Sequence, residues 1–290
     1  MGNELKYPIN SHELAAALGL QATGDEREII RVLPLAQASK GSLCFAKLPS
    51  VAIPKDAVVI SPKALEGANA TILISERARL DFARALLWID QNVGFNEPNE
   101  PADIHETVRL GVACAIGKGV RIGAHTIVGN NVTIGPGVCI GERCVIKSGA
   151  VIGEAGFGFE RDESGLPIRL VHLGGVVIGN DVEIGSVTTV CRGTLGNTIL
   201  EDYVKVDDHV HVAHNVILRR ASMIIACAEL SGGVEVGERA WVGPNASVIQ
   251  QRKLGPDSLV GIAANVLKDV EGGAVVVGNP AKALAKEKMG

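Results

Sequence analysis

Residues 119–152 read GVRIGAHTIVGNNVTIGPGVCIGERCVIKSGAVI, and an aliphatic residue recurs in this stretch at every sixth position. Extending the count in both directions, and restarting it after the interruptions at 154–175 and between Val190 and Leu200, gives 24 such positions, and every one is Ile, Leu or Val. A second column, two positions earlier, holds small or β-branched residues, with Arg252 as its single charged member. The aliphatic column comprises Ile104, Leu110, Ile116, Ile122, Val128, Ile134, Ile140, Ile146, Ile152, Ile178, Ile184, Val190, Leu200, Val206, Val212, Leu218, Ile224, Leu230, Val236, Val242, Val248, Leu254, Val260 and Val266.

This periodicity predicts a parallel β-helix, because one large and one small inward side chain per repeat can fill a narrow triangular core. Three repeats make one turn, so the 24 repeats predict about eight coils. At the usual interstrand spacing the prism is ~38 Å long. Glycine follows the large residue in 13 of the 24 repeats, which we interpret as tight corners that need a residue without Cβ constraints. Aromatic residues make up only 3% of the chain, as a core of aliphatic residues requires.

The remaining sequence predicts two smaller parts and one insertion. A helical segment that starts with Ser11 as its cap, a short apolar run and an apolar helix predict a small α/β domain, which is a candidate nucleotide-binding domain. Residues 93–103 form its linker, and the C-terminal part is predicted to contain a turn and one short helix. The predicted domains are 1–98, the β-helix at 104–270 with an insertion at 154–175, and a C-terminal cap at 271–290.

Composition and charge exclude several classes of function. The net charge is −4 without any run of Lys or Arg, so the chain lacks the basic surface that nucleic acids require. No apolar stretch is long enough to span a membrane, and the start of the sequence has no apolar core of a secretory signal. The six cysteines show no CxxC or zinc-site spacing. We therefore expect a reduced, cytoplasmic protein without a bound metal.

Three histidines in the run DDHVHVAHNV (207–216) are the strongest candidates for chemistry. The six-residue register points His209, His211 and His214 outward, where an imidazole can act as a general base. Asp207 or Asp208 could orient such a base. Metal ligation and simple solvation of the three histidines remain alternatives. One coil is 18 residues, so Gly232 lies on the same corner as His214, and its backbone N–H could stabilise an oxyanion.

Four runs closely resemble the UDP-3-O-acylglucosamine N-acyltransferase family of lipid A synthesis: GFGF (156–159), HLGGVVIGNDVEIG (172–185), RGTLGNT (192–198) and DDHVHVAHNV. The resemblance implies a left-handed β-helix and a homotrimer with active sites between subunits. It also implies His214 as general base, Gly232 as amide donor, and a uridine pocket in the N-terminal domain that includes Phe45. The expected substrate-binding residues are Asp207, Asp208, His211, Phe45, Phe157 and Phe159.

The sequence also departs from that family at positions that bear on the acyl donor. Cys191 replaces the aspartate before the RG pair, and Gln251 replaces a histidine near the pantetheine arm. Asn265 falls where an apolar residue limits the acyl chain, and Arg252 occupies an inward position from which we expect it to reach outward. We predict that Gln251, Arg252 and Asn265 bind the donor. The end GNPAKAL resembles the tails of sugar acetyltransferases that use acetyl-CoA.

These features predict an N-acyltransferase that moves an acyl group from a phosphopantetheine thioester to a nucleotide-linked amino sugar. Acyl carrier protein with a 3-hydroxyacyl group is one candidate donor, and acetyl-CoA or another short acyl-CoA is the alternative. The thioester is a co-substrate, and no permanently bound cofactor is expected. A non-catalytic solenoid scaffold and a zinc-dependent hydratase are the two alternatives from other classes.

Overall fold

The computed structural model describes residues 3–47, 54–64 and 69–284. The chain divides into two compact units. The N-terminal unit contains Met1–Glu97, Phe157–Gly174 and Thr194–Gly196. The β-helix unit contains Pro98–Gly156, Gly175–Gly193 and Asn197–Gly290. Most of the insertion, which was predicted to belong to the β-helix domain, therefore groups with the N-terminal unit.

The N-terminal unit is a small α/β arrangement, as predicted. Its six-stranded sheet has the order β1-β3-β4-β5-β6-β2, in which β3 to β6 are parallel and the two edge strands are antiparallel to their neighbours. Helix α2 buries Phe82 and Leu86 in a core that also contains Ile29, Leu43 and Ile60. The elements are β1 (Glu4–Asn10), α1 (Ser11–Leu18), β2 (Gln21–Thr23), β3 (Glu28–Val32), a 3-10 turn (Leu35–Gln37), β4 (Ser42–Phe45), β5 (Val58–Ser61), β6 (Thr71–Ile74) and α2 (Ala78–Asn92).

The start of α1 differs from the prediction by one residue. The cap is Asn10, whose side-chain oxygen accepts hydrogen bonds from the backbone N–H groups of His12 and Glu13. Ser11 is instead fully buried, and its hydroxyl oxygen accepts a hydrogen bond from the backbone N–H of Arg27. Both residue types are good caps, so sequence alone could not decide between them.

The β-helix unit consists of short strands of two to five residues. Three parallel sheets form its faces. The strands are β7 (Asp103–Ile104), β8 (Arg109–Leu110), β9 (Ala115–Ile116), β10 (Arg121–Ile122), β11 (Ile127–Val128), β12 (Thr133–Ile134), β13 (Cys139–Ile140), β14 (Val145–Ile146), β15 (Val151–Ala155), β18 (Val176–Ile178), β19 (Glu183–Ile184), β20 (Thr189–Arg192), β21 (Thr198–Leu200), β22 (Lys205–Val206), β23 (His211–Val212), β24 (Ile217–Leu218), β25 (Met223–Ile224), β26 (Glu229–Leu230), β27 (Glu235–Val236), β28 (Trp241–Val242), β29 (Ser247–Val248), β30 (Lys253–Leu254), β31 (Leu259–Val260), β32 (Asn265–Val266), β33 (Val275–Val277) and β34 (Lys282–Ala283).

Each face stacks every third strand. Face 1 contains β7, β10, β13, β18, β21, β24, β27 and β30, and face 3 contains β9, β12, β15, β20, β23, β26, β29 and β32. Face 2 contains β8, β11, β14, β19, β22, β25, β28, β31, β33 and the antiparallel β34. The predicted eight coils are therefore present, and face 2 extends beyond them. Aliphatic residues stack directly on each other, for example Ile122 on Ile140 and Val212 on Leu230, and the central ones are almost fully buried.

The glycines that follow the large residues serve a different purpose from the one predicted. A Cβ on Gly123 would lie 2.7 Å from the carbonyl carbon of Gly141 in the next coil, so these glycines permit close stacking of the coils. The left-handed backbone conformation occurs two residues later. Non-glycine residues such as His125 (φ 61°) and Asn215 (φ 61°) adopt it there.

The C-terminal coil breaks the regular spacing, whereas the register next to Arg252 is regular, since Lys253 pairs with Glu235 eighteen residues earlier. Leu259 pairs with Val275, only sixteen residues later, whereas Trp241 pairs with Leu259 across the usual eighteen. Val270, which lies between β32 and β33 in the sequence, pairs with Leu254 in an isolated bridge. Residues 271–284 contain β33 and β34 and no helix, and residues 285–290 lie outside the described residues. Neither α1 nor α2, the α-helices of the described residues, is long and apolar enough to cross a membrane.

The insertion forms the hairpin β16 (Phe159–Arg161) and β17 (Pro167–Arg169) within the N-terminal unit. Ion pairs attach it to α2: Arg79 lies 2.7 Å from Glu160, and Arg84 lies 2.6 Å from Glu163. The hairpin therefore lies against α2 of the same unit. Its packing against α2 follows from these charges, which the sequence places about 80 residues apart.

Candidate active site

His214 and Gly232 lie against each other on the corner between faces 3 and 1. Each follows an inward residue by two positions, and those inward residues, Val212 and Leu230, are partners in adjacent strands. A Cβ on Gly232 would lie 2.5 Å from Cε1 and 2.6 Å from Nε2 of His214. The imidazole therefore occupies the space that any side chain at position 232 would need. The structure brings this predicted pair together.

The neighbouring residue Asn215 positions the imidazole of His214. Its side-chain oxygen Oδ1 lies 3.1 Å from Nδ1 of His214. The backbone of Asn215 is in the left-handed conformation, and its N–H donates to Oγ1 of Thr198 at 2.9 Å. If Nδ1 carries the proton and donates to Asn215, the lone pair is on Nε2, the ring nitrogen nearer to Gly232. This tautomer is the one a general base needs.

Asp207 and Asp208 lie on a different corner, between faces 2 and 3, and stabilise its backbone. Oδ1 of Asp208 accepts the N–H of Ser186 at 2.6 Å. Oδ2 of Asp207 accepts the N–H of Ala226 at 3.2 Å, and its Oδ1 accepts the N–H of Asp208. The structure thus does not bring the two carboxylates to His214, because the strand β23 separates the corners. The side-chain amide of Asn215 lies at hydrogen-bond distance from His214 and can orient it.

His211 lies on face 3, immediately before the His214 corner. Its Nδ1 is 2.7 Å from Oγ1 of Thr189, one coil earlier. Its partner in the following coil is Glu229, whose carboxylate accepts a hydrogen bond from the hydroxyl of Ser231 at 3.0 Å. The prediction missed both Glu229 and Ser231. The 18-residue spacing could have identified Glu229, because it places this residue one coil after His211, at the equivalent outward position.

The three predicted donor residues lie two to three coils beyond His214 on the same side of the β-helix. Gln251 lies one coil after Gly233, on the corner between faces 3 and 1, and has a left-handed backbone (φ 60°). The guanidinium of Arg252 reaches outward, where its Nη1 lies 3.6 Å from Asp269. The side chain of Asn265 lies outward on face 3, and its backbone carbonyl accepts a hydrogen bond from the N–H of Ala281 at 2.7 Å. The C-terminal segment thus contacts β32 directly.

The three predicted aromatic residues belong to the N-terminal unit. Phe45 packs on Phe82 with ring centroids 4.8 Å apart, and it contributes to the core of that unit. Phe157 is 90% exposed and lies 4.8 Å from Phe159, on whose ring the guanidinium of Arg169 stacks. Residues 48–49, which follow Phe45 by three and four positions, lie outside the described residues.

Cys191 lies one coil before Ala213, close to the His214 corner, and is buried. Burial raises the pKa of its thiol, and the carboxylate of Glu154 raises the pKa further. A neutral, buried thiol is a poor nucleophile, so its surroundings favour a packing role. In the described part of the chain no three His, Cys, Asp or Glu side chains are grouped so that they could hold a metal ion.

Comparison with known proteins supports the hexapeptide fold. Residues 119–154 match the family described as bacterial transferase hexapeptide (six repeats). The solved UDP-N-acetylglucosamine O-acyltransferase of Moraxella catarrhalis is 27% identical with a TM-score of 0.59, and the match covers 66% of this chain and 73% of that one. The corresponding LpxA structure from Acinetobacter baumannii is also 27% identical, with a TM-score of 0.58 over 65% and 71% of the two chains. The chain is a left-handed β-helix like these neighbours.

Comparison with the sequences of related proteins identifies the family. The UDP-3-O-acylglucosamine N-acyltransferase 2 of Legionella pneumophila (strain Paris) is 40% identical over 43% of this chain, and the alignment spans 36% of that protein. The UDP-3-O-acylglucosamine N-acyltransferase of Bordetella parapertussis is 42% identical over 44% of this chain and 33% of its own length. That of Delftia acidovorans is 36% identical over an alignment of 285 positions, gaps included, which covers 92% of this chain and 84% of the relative. This chain therefore belongs to the UDP-3-O-acylglucosamine N-acyltransferase family.

Proposed function

We propose that this protein transfers an acyl group from a phosphopantetheine thioester to the amine of a nucleotide-linked amino sugar, as in lipid A synthesis. The observation that carries the proposal is the contact between the imidazole of His214 and Gly232. A base and a backbone amide on one corner are the two groups that acyl transfer requires. Family membership supplies the acceptor class, an amino sugar linked to UDP.

The mechanism follows from that geometry. The acceptor nitrogen attacks the thioester carbonyl, forming the N–C bond, while Nε2 of His214 takes a proton from the nitrogen. The negative charge that develops on the carbonyl oxygen is stabilised by the N–H of Gly232, which donates to no other described residue. The C–S bond then breaks, and the departing thiolate takes the proton from His214. The products are an amide and a free thiol.

The identity of the donor forms a second part of the proposal. A 3-hydroxyacyl group on acyl carrier protein is the donor suggested by the family, and a short acyl-CoA is the alternative. The polar Asn265 on face 3 and the contact between its strand and the C-terminal segment favour the short donor. A competition assay with acetyl-CoA and 3-hydroxyacyl carrier protein, each offered with UDP-3-O-acylglucosamine, distinguishes the two donors by the product formed.

We also propose a cytoplasmic homotrimer, in which face 1 takes part in the contact between subunits. Val177, Ile199 and Ile217 are consecutive outward residues on this face, and Val177 is 37% exposed. Together with Arg220, the first two line a surface cavity of about 340 Å³. An outward apolar stripe of this kind is typical of a surface that is covered in the assembled protein. Sedimentation equilibrium measures the number of subunits directly.

The substitution His214→Ala tests the catalytic proposal. The side chain is outward on a corner, so the coil should remain folded, and we expect kcat to fall by about 10²–10⁴-fold. Circular dichroism and sedimentation should be unchanged. A variant that turns over at nearly the rate of the native protein would exclude His214 as the base. A native protein that transfers no acyl group to any amino sugar would instead favour a scaffold.

A further inference from the structure

Glu229 is a half-buried carboxylate next to the candidate active site, and the proposed mechanism does not use it. It is outward on β26, because its neighbour Leu230 is fully buried. Its partner in the preceding coil is His211, and two residues further along the chain Ser231 leads into Gly232. The carboxylate therefore lies beside the corner where the acceptor nitrogen and the thioester must meet.

The carboxylate is held in place by a hydroxyl rather than by a charge. The hydroxyl of Ser231 lies 3.0 Å and 3.3 Å from its two oxygen atoms. On the preceding coil, Oγ1 of Thr189 holds His211 in the same way, at 2.7 Å from Nδ1. Two serine or threonine hydroxyls thus position an acid and an imidazole on adjacent strands of face 3.

Among the described residues, Glu229 forms no ion pair, and this distinguishes it from glutamates at equivalent outward positions. Glu183 on face 2 lies 3.2 Å from the ammonium of Lys147. Glu235 on face 1 lies 2.6 Å from the guanidinium of Arg219. A half-buried carboxylate that lacks a cation in the protein can form a charged hydrogen bond with a cationic ligand. The acceptor, an amine, is the cation that the proposed reaction brings to this corner.

We propose that Glu229 binds the protonated amino group of the acceptor and so selects an amino sugar over the corresponding hydroxyl sugar. This inference rests on the proposed N-acyl transfer. The ammonium must lose one proton to solvent before it can attack, so the carboxylate stabilises the bound acceptor and not the transition state. Loss of Glu229 should therefore weaken the affinity for the acceptor and raise KM, and it should not lower kcat.

The test compares the affinities of two ligands for the native protein and for one variant. Calorimetry measures the binding of UDP-3-O-acylglucosamine and of its 2-hydroxy analogue, UDP-3-O-acylglucose, to the native protein and to Glu229→Gln, which keeps the shape and removes the charge. We expect the amine ligand to bind about 10- to 100-fold more weakly to the variant, as for the loss of a charged hydrogen bond. Binding of the hydroxyl ligand should change less than about threefold. Glu183→Gln, on face 2, is the matched control and should leave both affinities unchanged.

Three other outcomes would overturn the inference. Equal weakening of both ligands would mean that Glu229 only maintains the shape of the corner. Unchanged binding of both ligands would exclude contact with the amine. Unchanged binding with a lower kcat would place Glu229 in proton transfer instead. Because binding is measured without turnover, a native protein that binds the amine ligand through Glu229 and yet transfers no acyl group would contradict only the proposed reaction.

Discussion

Replacing Gly232 by alanine is the substitution whose effect follows most directly from the structure. The new methyl group would lie 2.5 Å from Cε1 of His214, whereas carbon atoms in contact are ~3.5–4.0 Å apart. The imidazole must therefore move by about 1 Å. The backbone can accept alanine, because Gly232 is not among the residues with positive φ. The N–H of residue 232 also remains, so only the position of the base changes.

A displacement of about 1 Å in a catalytic group reduces the rate by about 10²-fold. We expect Gly232→Ala to lower kcat by about that factor, while the thermal unfolding midpoint shifts by only a few degrees, about 1 kcal/mol or less. The assay is steady-state acyl transfer, followed by release of the free thiol. Gly175→Ala is the matched control in the same unit, because the nearest atom to its new methyl is the side-chain oxygen of Asn197 at 3.3 Å.

A double variant decides whether the effect acts through the imidazole. If the methyl group acts only by displacing His214, then Gly232→Ala should have no further effect in a protein that already carries His214→Ala. If the two losses multiply instead, residue 232 acts independently of the base, and the reasoning from the contact is wrong. A large loss of stability in Gly232→Ala would also refute it.

Two further predictions concern the β-helix core and the cysteines. Thr126→Val should lower the free energy of unfolding by about 1–3 kcal/mol, measured from the denaturant midpoint. The buried hydroxyl of Thr126 donates to the carbonyl of Gly141 at 2.9 Å and accepts the N–H of Cys144 at 3.0 Å, and valine can do neither. An unchanged midpoint would show that these backbone groups find other partners. Burial raises the pKa of the Cys44 thiol to about 12, so at pH 8 this thiol stays neutral in the folded protein and should resist a thiolate-specific reagent, whereas the exposed Cys227 should react within minutes. Mass spectrometry of the labelled peptides measures this order, and equal labelling of both before unfolding would contradict it.

The six-residue register predicted which side chains point inward and which outward, and it did so for nearly the whole β-helix. It also predicted that His214 and Gly232 share a corner, because strands stack in register with a fixed period of 18 residues. The same 18-residue period places Glu229 next to His211, on the following coil. A regular solenoid converts sequence spacing into spatial neighbourhood, so contacts between adjacent coils can be read from the sequence.

The role of the corner residues was less predictable. Asp207 and Asp208 are next to the histidines in sequence, and proximity suggested that they orient His214. The structure shows them on another corner, accepting backbone N–H groups, because a two-residue strand is enough to carry the chain from one corner of the prism to the next. Asn215, a residue without charge, contributes a side-chain oxygen that lies 3.1 Å from Nδ1 of the imidazole.

The sequence by itself determined the β-helix and the stacking of His214 on Gly232, since both depend on a strict period. Only the tertiary structure decided where the irregular segments go. The insertion pairs its acids with arginines of α2, and Ser231 holds Glu229 beside the candidate site. These contacts depend on the directions of individual side chains and on residues far apart in the chain, neither of which a repeat specifies. The corner with His214 and Gly232 is therefore predictable from the period, while the polar groups that surround it are not.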